Sequence, residues 1–376
     1  MAFGFGTPHF LGIDFGTASI KAVELSLENG RPVLANYGKV SLVDLENGTP
    51  SAGRSYDEEI ALHLQALLKR MKPKGQSVSV AMPAFTGLIL VIEFPMMNEA
   101  ELKDAISFEV HKYISSSLDK VSLNWEVLGI KDTPTGEKKM EVLLVVALNK
   151  EVSRYQSYVA GTSLQIHFLE LETFSIVRSI VGDDPGLVLV IDIGSRATNL
   201  VLVEGGLIKV SRNLDVGGRD ITRVIAEGLN ITEDRAKILK RSGKDFLIAP
   251  EVTLIFPALQ AIASEAERML LASQAKHSGV QCKGIILSGG TAQLTGLTQY
   301  YTNLLKLPVV IGNPWKQIQY DPRLTEKISE LGTSFAVALG LALRGADTVL
   351  KPSSGQTHSP APQKKFSFKG LLTKKL

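Results

Sequence analysis

Short apolar runs alternate with helical stripes along most of this 376-residue chain. The segment "LGIDFGTASIKAVEL" (11–25) is apolar, meets Asp14, turns on Gly16 and returns through Lys21, which reads as strand, turn and strand. A third strand follows around "PVLANYGKVSL". Ser55 with Glu58 forms a capping-box pair, and Ile60, Leu64, Leu67, Leu68 and Met71 then recur on one helical face. "SVSVAMP" is a strand. Asn98 with Glu101 repeats the cap, and Leu102, Ile106, Val110 and Tyr113 continue it as a stripe. "KVSLNWEVLGI" and "KKMEVLLVVAL" pair across the turn segment "KDTPTGE", and a helix covers about 151–160. "PGLVLVIDIG" then restarts the order strand, strand, strand, helix. Ile221, Val224 and Ile225 mark one helix, and Leu259, Ile262, Ala263, Ala266 and Leu270 another. "CKGIILSGGTAQL" runs as a strand into a Gly-Gly turn. Helices interleaved with buried strands place the chain in the α/β class.

Composition adds bounds. Hydrophobic residues at 44% and charged residues at 21% describe a globular chain long enough for two cores. Cys282 is the single cysteine, so no internal disulfide forms. The longest apolar run, "VLLVVAL" (142–148), is far short of a bilayer span, and the N-terminus lacks a signal-peptide pattern, so a cytoplasmic location is expected. The net charge of +3 is uneven. Residues 351–376 hold six lysines and no acid, which leaves −3 on residues 1–350. A mildly acidic body argues against a nucleic-acid surface. The tail opens Pro- and Ser-rich, as disordered chain does. It ends in "KKFSFKGLLTKKL", where Phe368, Leu371, Leu372 and Leu376 share one helical face among lysines. That pattern predicts a weak contact with an anionic membrane surface.

The second restart repeats the first. "LVIDIGSRATN" (189–199) sets Asp192, Gly194 and Ser195 against Asp14, Gly16 and Thr17, 178 positions apart. After Gly16, the N–H groups of Thr17, Ala18 and Ser19 can form an anion-binding nest, and Lys21 can add a point charge to the same phosphates. Carboxylates beside polyphosphate need a cation between them, and Asp14 with Asp192 suits hydrated Mg²⁺. The turn at Gly289 and Gly290 offers bare backbone to a flat base. Six histidines without paired spacing, and the lone cysteine, give no transition-metal pattern.

These segments, with "FPMMNEAELKDAISFEVHKYI" (94–114) and "LDVGGRDITRVIAEGL" (214–229), resemble the actin-like ATPase superfamily. Within it they resemble the PilM family of type IV pilus assembly, itself similar to the division protein FtsA. The resemblance covers about residues 10–346. It implies an actin-like fold of two related α/β domains around a nucleotide cleft, with a small inserted α+β subdomain. The implied bounds are a domain I core at 1–85, the insert at 86–164 and a return to domain I at 165–185. Domain II follows at 186–330, then a closing helix at 331–350 and the tail at 351–376.

The resemblance implies ATP and Mg²⁺ as cofactors. Thr17, Ala18, Ser19 and Lys21 after Gly16, and Gly194 with Ser195, would hold the phosphates. Asp14 and Asp192 would hold Mg²⁺ through water. Gly217 and Gly218 would open a helix toward the nucleotide, with Lys240 by the ribose and Gly289 and Gly290 by the base. Two positions depart from the family pattern: Lys237 stands where relatives carry a ribose-binding glutamate, and Arg196 where classical phosphate loops prefer glycine. Glu170, Glu172 and Asn199 are the candidates for positioning an attacking water. Against that, both glutamates also read as surface residues at a strand end, which favours binding with slow turnover at most. The implied partner is the N-terminal cytoplasmic peptide of a PilN-like inner-membrane protein, with pilus motor components as further partners. The implied place is the inner face of the cytoplasmic membrane. Two other readings stay open, a membrane-tethered division protein like FtsA and a small-molecule kinase of the same superfamily.

Overall fold

The computed structural model describes residues 7–42, 53–132, 136–248, 254–276 and 281–350. The C-terminal amphipathic segment expected from the sequence lies outside the described residues. Two five-stranded sheets carry the molecule, and they share one topology. In the first, the order is β3 (Arg31–Ser41), β2 (Ser19–Glu28), β1 (His9–Phe15), β4 (Ser77–Met82) and β8 (Gln165–Leu171). In the second it is β11 (Leu207–Leu214), β10 (Thr198–Glu204), β9 (Leu187–Ile193), β12 (Ile285–Ser288) and β13 (Val309–Ile311). Each sheet opens as an antiparallel meander and continues with two parallel strands. The restart read in the sequence is therefore a repeat of the whole sheet.

Parallel pairs need crossovers, and the helices supply them. Ser55 and Glu58 exchange the reciprocal bonds of a capping box at the start of α1 (Tyr56–Met71). This helix lays Ile60, Leu64, Leu67 and Met71 on the first sheet. Between β4 and β8 the chain leaves to build a separate three-stranded sheet. There β7 (Lys138–Leu148) lies between β5 (Gly87–Pro95) and β6 (Val121–Asp132). Helix α2 (Glu99–Val110) covers one face with Leu102, Ile106 and Val110. It ends at Val110, so Tyr113 falls in the following turn and is exposed rather than continuing the apolar stripe. Leu143, Val145 and Ala147 alternate to the other face of β7 and join the main core. Helix α3 (Asn149–Ala160) then returns the chain to β8.

After β8, α4 (Glu172–Ile176) continues into a π-helical turn at Val177–Val181. The second sheet is crossed by α5 (Gly218–Leu229), α6 (Glu233–Arg241), α7 (Pro257–Lys276) and α8 (Leu297–Leu305). Two last helices, α9 (Thr325–Leu331) and α10 (Ala336–Leu350), bring the chain back to the first sheet. Gly12 on β1 admits α10: a Cβ there would stand 2.2 Å from the Ala338 carbonyl oxygen. Gly340 does the same for α4, with the Ser175 carbonyl oxygen 2.0 Å from a would-be Cβ.

Candidate functional site

The carboxyl ends of β1, β4 and β9 and the ends of β8 and β12 open into one cleft of about 630 Å³. Its walls include Asp14, Gly16, Thr17, Ala18, Ser19 and Lys21 from the first hairpin. Asp192, Gly194, Ser195 and Asn199 come from the second hairpin, Gly218 from α5, Lys240 from α6, and Gly289 and Gly290 from the turn after β12. Glu172 completes the set from the start of α4. Gly217 caps α5, its N–H donating to Asp220. The residues read from the sequence thus line one cleft, except Glu170 and Gly217, the latter packed behind the second loop at the cap of α5.

The two hairpins differ at one register position. Asp14 pairs across β1–β2 with Lys21, whose Nζ donates to its Oδ2 at 3.0 Å. The lysine expected to reach phosphate is held by this carboxylate in the present structure. Asp192 pairs across β9–β10 with Asn199, which is neutral. The consequence is electrostatic. Burial, with the charge of Asp14, pushes Asp192 up to about 6, against the opposing pull of the Ser288 hydroxyl. Burial and then the charge of Asp192 push Glu172 up to about 8, although the Ala84 N–H donates to it at 2.9 Å. Three carboxyl groups thus share one region with a single nearby ammonium. Among the described residues no three His, Cys, Asp or Glu side chains gather closely enough to ligate a metal directly. An all-oxygen set short of positive charge fits a magnesium ion that keeps its water.

The loop geometry suits close approach. In the second loop, Gly194 N donates to the Ala197 carbonyl, and the N–H groups of Gly218 and Arg219 donate to the carbonyls of Gly194 and Ser195. These bonds lock α5 onto the loop. Gly289 has φ +84°, and a Cβ there would lie 2.4 Å from the Ile193 carbonyl oxygen. Gly290 faces open space. Lys240 donates to the Gly218 carbonyl at 2.6 Å and to Thr222 Oγ1 at 2.8 Å. Burial, then Arg241 and Lys237, lower its ammonium to about 8.

The two glutamates read as strand-end surface residues part ways: Glu170 is buried, and Glu172 is half-buried in the cleft wall. Glu170 is turned from the cleft into a bidentate pair with Arg178, at 2.7 and 3.0 Å, and accepts from Ser175. Arg178 also donates to the Gly340 carbonyl, so this cluster fastens β8, α4 and α10. Glu170 is a structural residue here and positions no water. Asn199 lines the cleft, but its amide donates to Thr173 Oγ1 at 2.8 Å, tying β10 to α4. Arg196 stands 60% exposed at the tip of the second loop, 3.4 Å from Asp215. Lys39 on β3 and Arg241 on α6 also line the cleft, and periodicity did not single them out.

A second cavity of about 350 Å³ lies beside the insert. Tyr56, Tyr155, Tyr158 and Leu148 form its far wall, and Arg154 is fixed there by Asp57 at 2.7 Å. Its near wall is shared with the cleft through Phe15, Gly16, Thr17, Pro83, Phe85 and Arg196.

Comparison with known proteins agrees with this architecture. The family model "Type IV pilus assembly protein PilM" matches residues 12–346. A solved structure titled as a PilM-PilN type IV pilus biogenesis complex superposes with a TM-score of 0.73 at 25% identity. It covers 89% of this chain and 98% of that one. The ethanolamine utilization protein EutJ of Carboxydothermus hydrogenoformans superposes at 0.50 with 17% identity, over 90% of each chain, a likeness of fold. A cell division protein FtsA of Staphylococcus epidermidis is 24% identical over 385 residues, covering 87% of this chain and 79% of that protein. The fold is that of the actin-like ATPases. Since the family match runs through both hairpins, the insert and the closing helix, the chain belongs to the type IV pilus assembly PilM family.

Proposed function

We propose that this protein is a nucleotide-responsive adaptor of type IV pilus assembly, working at the inner face of the cytoplasmic membrane. ATP with Mg²⁺ occupies the cleft between the twin sheets. The first and second loops hold its phosphates by backbone N–H groups, and Lys21 exchanges Asp14 for phosphate. Asp14 and Asp192 hold the hydrated ion, which offsets the charge that the phosphates would otherwise meet. The second cavity receives the N-terminal cytoplasmic peptide of a PilN-like inner-membrane partner. The observation that carries this reading is the shared wall. Phe15, Gly16, Thr17 and Arg196 face both cavities, so a phosphate on the first loop moves a surface that the peptide touches. The solved PilM-PilN relative supports the choice of partner.

Fast hydrolysis is not part of the proposal. A group that positions an attacking water must offer it a free hydrogen-bond acceptor. Glu172, raised to about 8, is largely protonated at neutral pH, and Asn199 donates to Thr173 while its amide oxygen accepts from Ser211. Product of the cycle is an assembly state.

The test is binding of a labelled N-terminal PilN-like peptide, followed by anisotropy with and without Mg-ATP. Binding whose affinity depends on nucleotide is expected. No binding in either condition would remove the adaptor role. The likeness to FtsA then favours the second reading, a membrane-tethered division protein.

A further inference from the structure

Among the described residues, those that line the second cavity all fall in the stretch from Phe15 to Tyr158, with one exception, Arg196. That stretch holds four strands of the first sheet and the three strands of the insert. Arg196 comes from the turn between β9 and β10, so it is the side chain that the second sheet sends to this cavity. It lines the larger cleft as well. The residues that share the common wall with it, Phe15, Gly16, Thr17, Pro83 and Phe85, come from the first half of the chain.

The twin hairpins show what is peculiar to this position. Aligned on Asp14 and Asp192, Ala18 of the first hairpin is matched by Arg196 of the second. The first hairpin carries its cation inside β2, where Lys21 is 14% exposed and held by the buried Asp14. The second carries its cation at the tip of the turn. The backbone there is clamped. Gly194 N–H donates to the Ala197 carbonyl, Arg219 N–H donates to the Ser195 carbonyl, and a Cβ on Gly217 would lie 2.9 Å from the Arg196 carbonyl carbon. The side chain is held more loosely. Arg196 stands 3.4 Å from Asp215, whose side chain is 79% exposed. An ion pair so open to water contributes little, so the guanidinium can leave Asp215 at small cost. A guanidinium takes phosphate through two parallel N–H···O bonds, which a neutral glycine at this position could not supply. ATP and ADP differ by one charged phosphate, and the loop that carries Arg196 is one of the two assigned to the phosphates. Turning toward that phosphate withdraws the side chain from the second cavity, whose wall already includes the cations Lys150 and Arg154.

We propose that Arg196 is the positioning residue through which the terminal phosphate controls the peptide cavity. With ATP it turns to the phosphate and opens the cavity; with ADP it stays by Asp215 and narrows it. This rests on the reading of the two cavities as nucleotide and peptide sites. The test uses the full chain and a labelled N-terminal peptide of a PilN-like protein, followed by anisotropy with no nucleotide, with Mg-ADP and with the Mg complex of a non-hydrolysable ATP analogue. The wild-type protein should bind the peptide at least fivefold tighter with the analogue than with ADP. Reciprocity requires the peptide to favour the analogue over ADP by the same factor, which calorimetry measures independently. In Arg196→Ala the two peptide affinities should lie within twofold of each other, and circular dichroism checks that the variant is folded. Phe85→Ala alters the same wall without touching a charge and should keep the fivefold ratio. If Arg196→Ala keeps that ratio, or Phe85→Ala loses it as fully, the proposal is wrong while the adaptor reading stands. The same holds if ADP and the analogue change wild-type peptide binding equally. If the peptide does not bind, or binds alike in all three conditions, the nucleotide-responsive reading falls and this proposal with it.

Discussion

At the scale of single residues, one position in each hairpin sets the chemistry. Lys21 neutralises Asp14 in the first copy, whereas Asn199 gives Asp192 a neutral cross-strand partner in the second. The raised carboxyls give a signed pH dependence. Glu172 has an ordinary value of 4.5 and a folded value of about 8. Between those values the folded chain holds a proton that the unfolded chain has lost, so stability falls as pH rises through that window. Asp192 adds the same slope between 3.8 and about 6. Lys240, lowered from 10.5 to about 8, acts in the other sense: above pH 8 the unfolded chain holds the extra proton, and stability rises toward pH 10.5. Urea titrations of the ligand-free protein from pH 5 to 8 should show the fall, and Glu172→Gln should flatten it. A slope unchanged by that variant would mean that Glu172 is ionised throughout. A cation bound among these groups displaces their protons, so Mg-ATP should bind more tightly at pH 8 than at pH 6. Calorimetry in two buffers of different ionisation heat would detect the released proton, and an identical heat in both would deny it. Asp14→Ala removes a proposed anchor of the ion and Lys21→Ala a proposed phosphate contact. Each should weaken Mg-ATP binding by ~1.5–3 kcal/mol, and wild-type affinity in both variants would displace the site.

At the scale of elements, the twin hairpins were legible because each is short, apolar and broken by the same Asp-x-Gly turn. Register follows from such a turn, and Lys21 opposite Asp14 is its result. The capped helices were legible for a similar reason, since Ser55 with Glu58 and Asn98 with Glu101 act within four residues. What stayed hidden depends on contacts between distant segments. Glu170 and Glu172 are two positions apart at a strand end, where β8 gives way to α4. Only the packing of α10, which offers the Gly340 carbonyl to Arg178, decides that Glu170 faces the core. Lys39 in the cleft wall is not legible locally, since a lone lysine in a strand reads as solvated unless the opposite sheet is known. The apolar period carries the predicted helix on to Tyr113, past Val110, where the backbone turns. The hidden packing of α10 is testable. Gly12→Val and Gly340→Val would each drive a side chain into backbone atoms closer than van der Waals contact. Overpacking of this kind costs about 1–3 kcal/mol, and rigid backbone puts these sites at the upper end. Denaturant midpoints should fall for both, whereas Gly129→Val, with nothing within 4 Å of its Cβ, should keep the midpoint near wild type. Equal midpoints for all three would contradict the close approach of α10 to β1.

At the scale of the whole molecule, the insert is tied to both sheets and so can pass motion between them. Its central strand β7 gives Leu143 and Val145 to the core of the first sheet. Two residues before Leu143, on the same face of β7, Glu141 accepts from Lys131 at 2.7 Å and from Lys209 at 2.9 Å. Lys209 belongs to β11, the edge strand of the second sheet, and β5 of the insert packs beside it. The Glu141 and Lys209 side chains are only 6% and 11% exposed, so salt screens this pair poorly. Any rotation that opens the cleft must work against a buried ion pair at its outer joint. Removing one partner of such a pair costs roughly 3–5 kcal/mol when the other is stranded. Lys131 remains with Glu141 here, so Lys209→Met should cost less than that. The loss should be local to the joint. Amide hydrogen exchange should quicken in Gly87–Pro95 and Leu207–Leu214, while β1 and β9, at the centres of their sheets, keep their protection. If β5 and β11 of the variant exchange at the wild-type rate, apolar packing alone holds the insert to the second sheet, and the ion pair is a passenger.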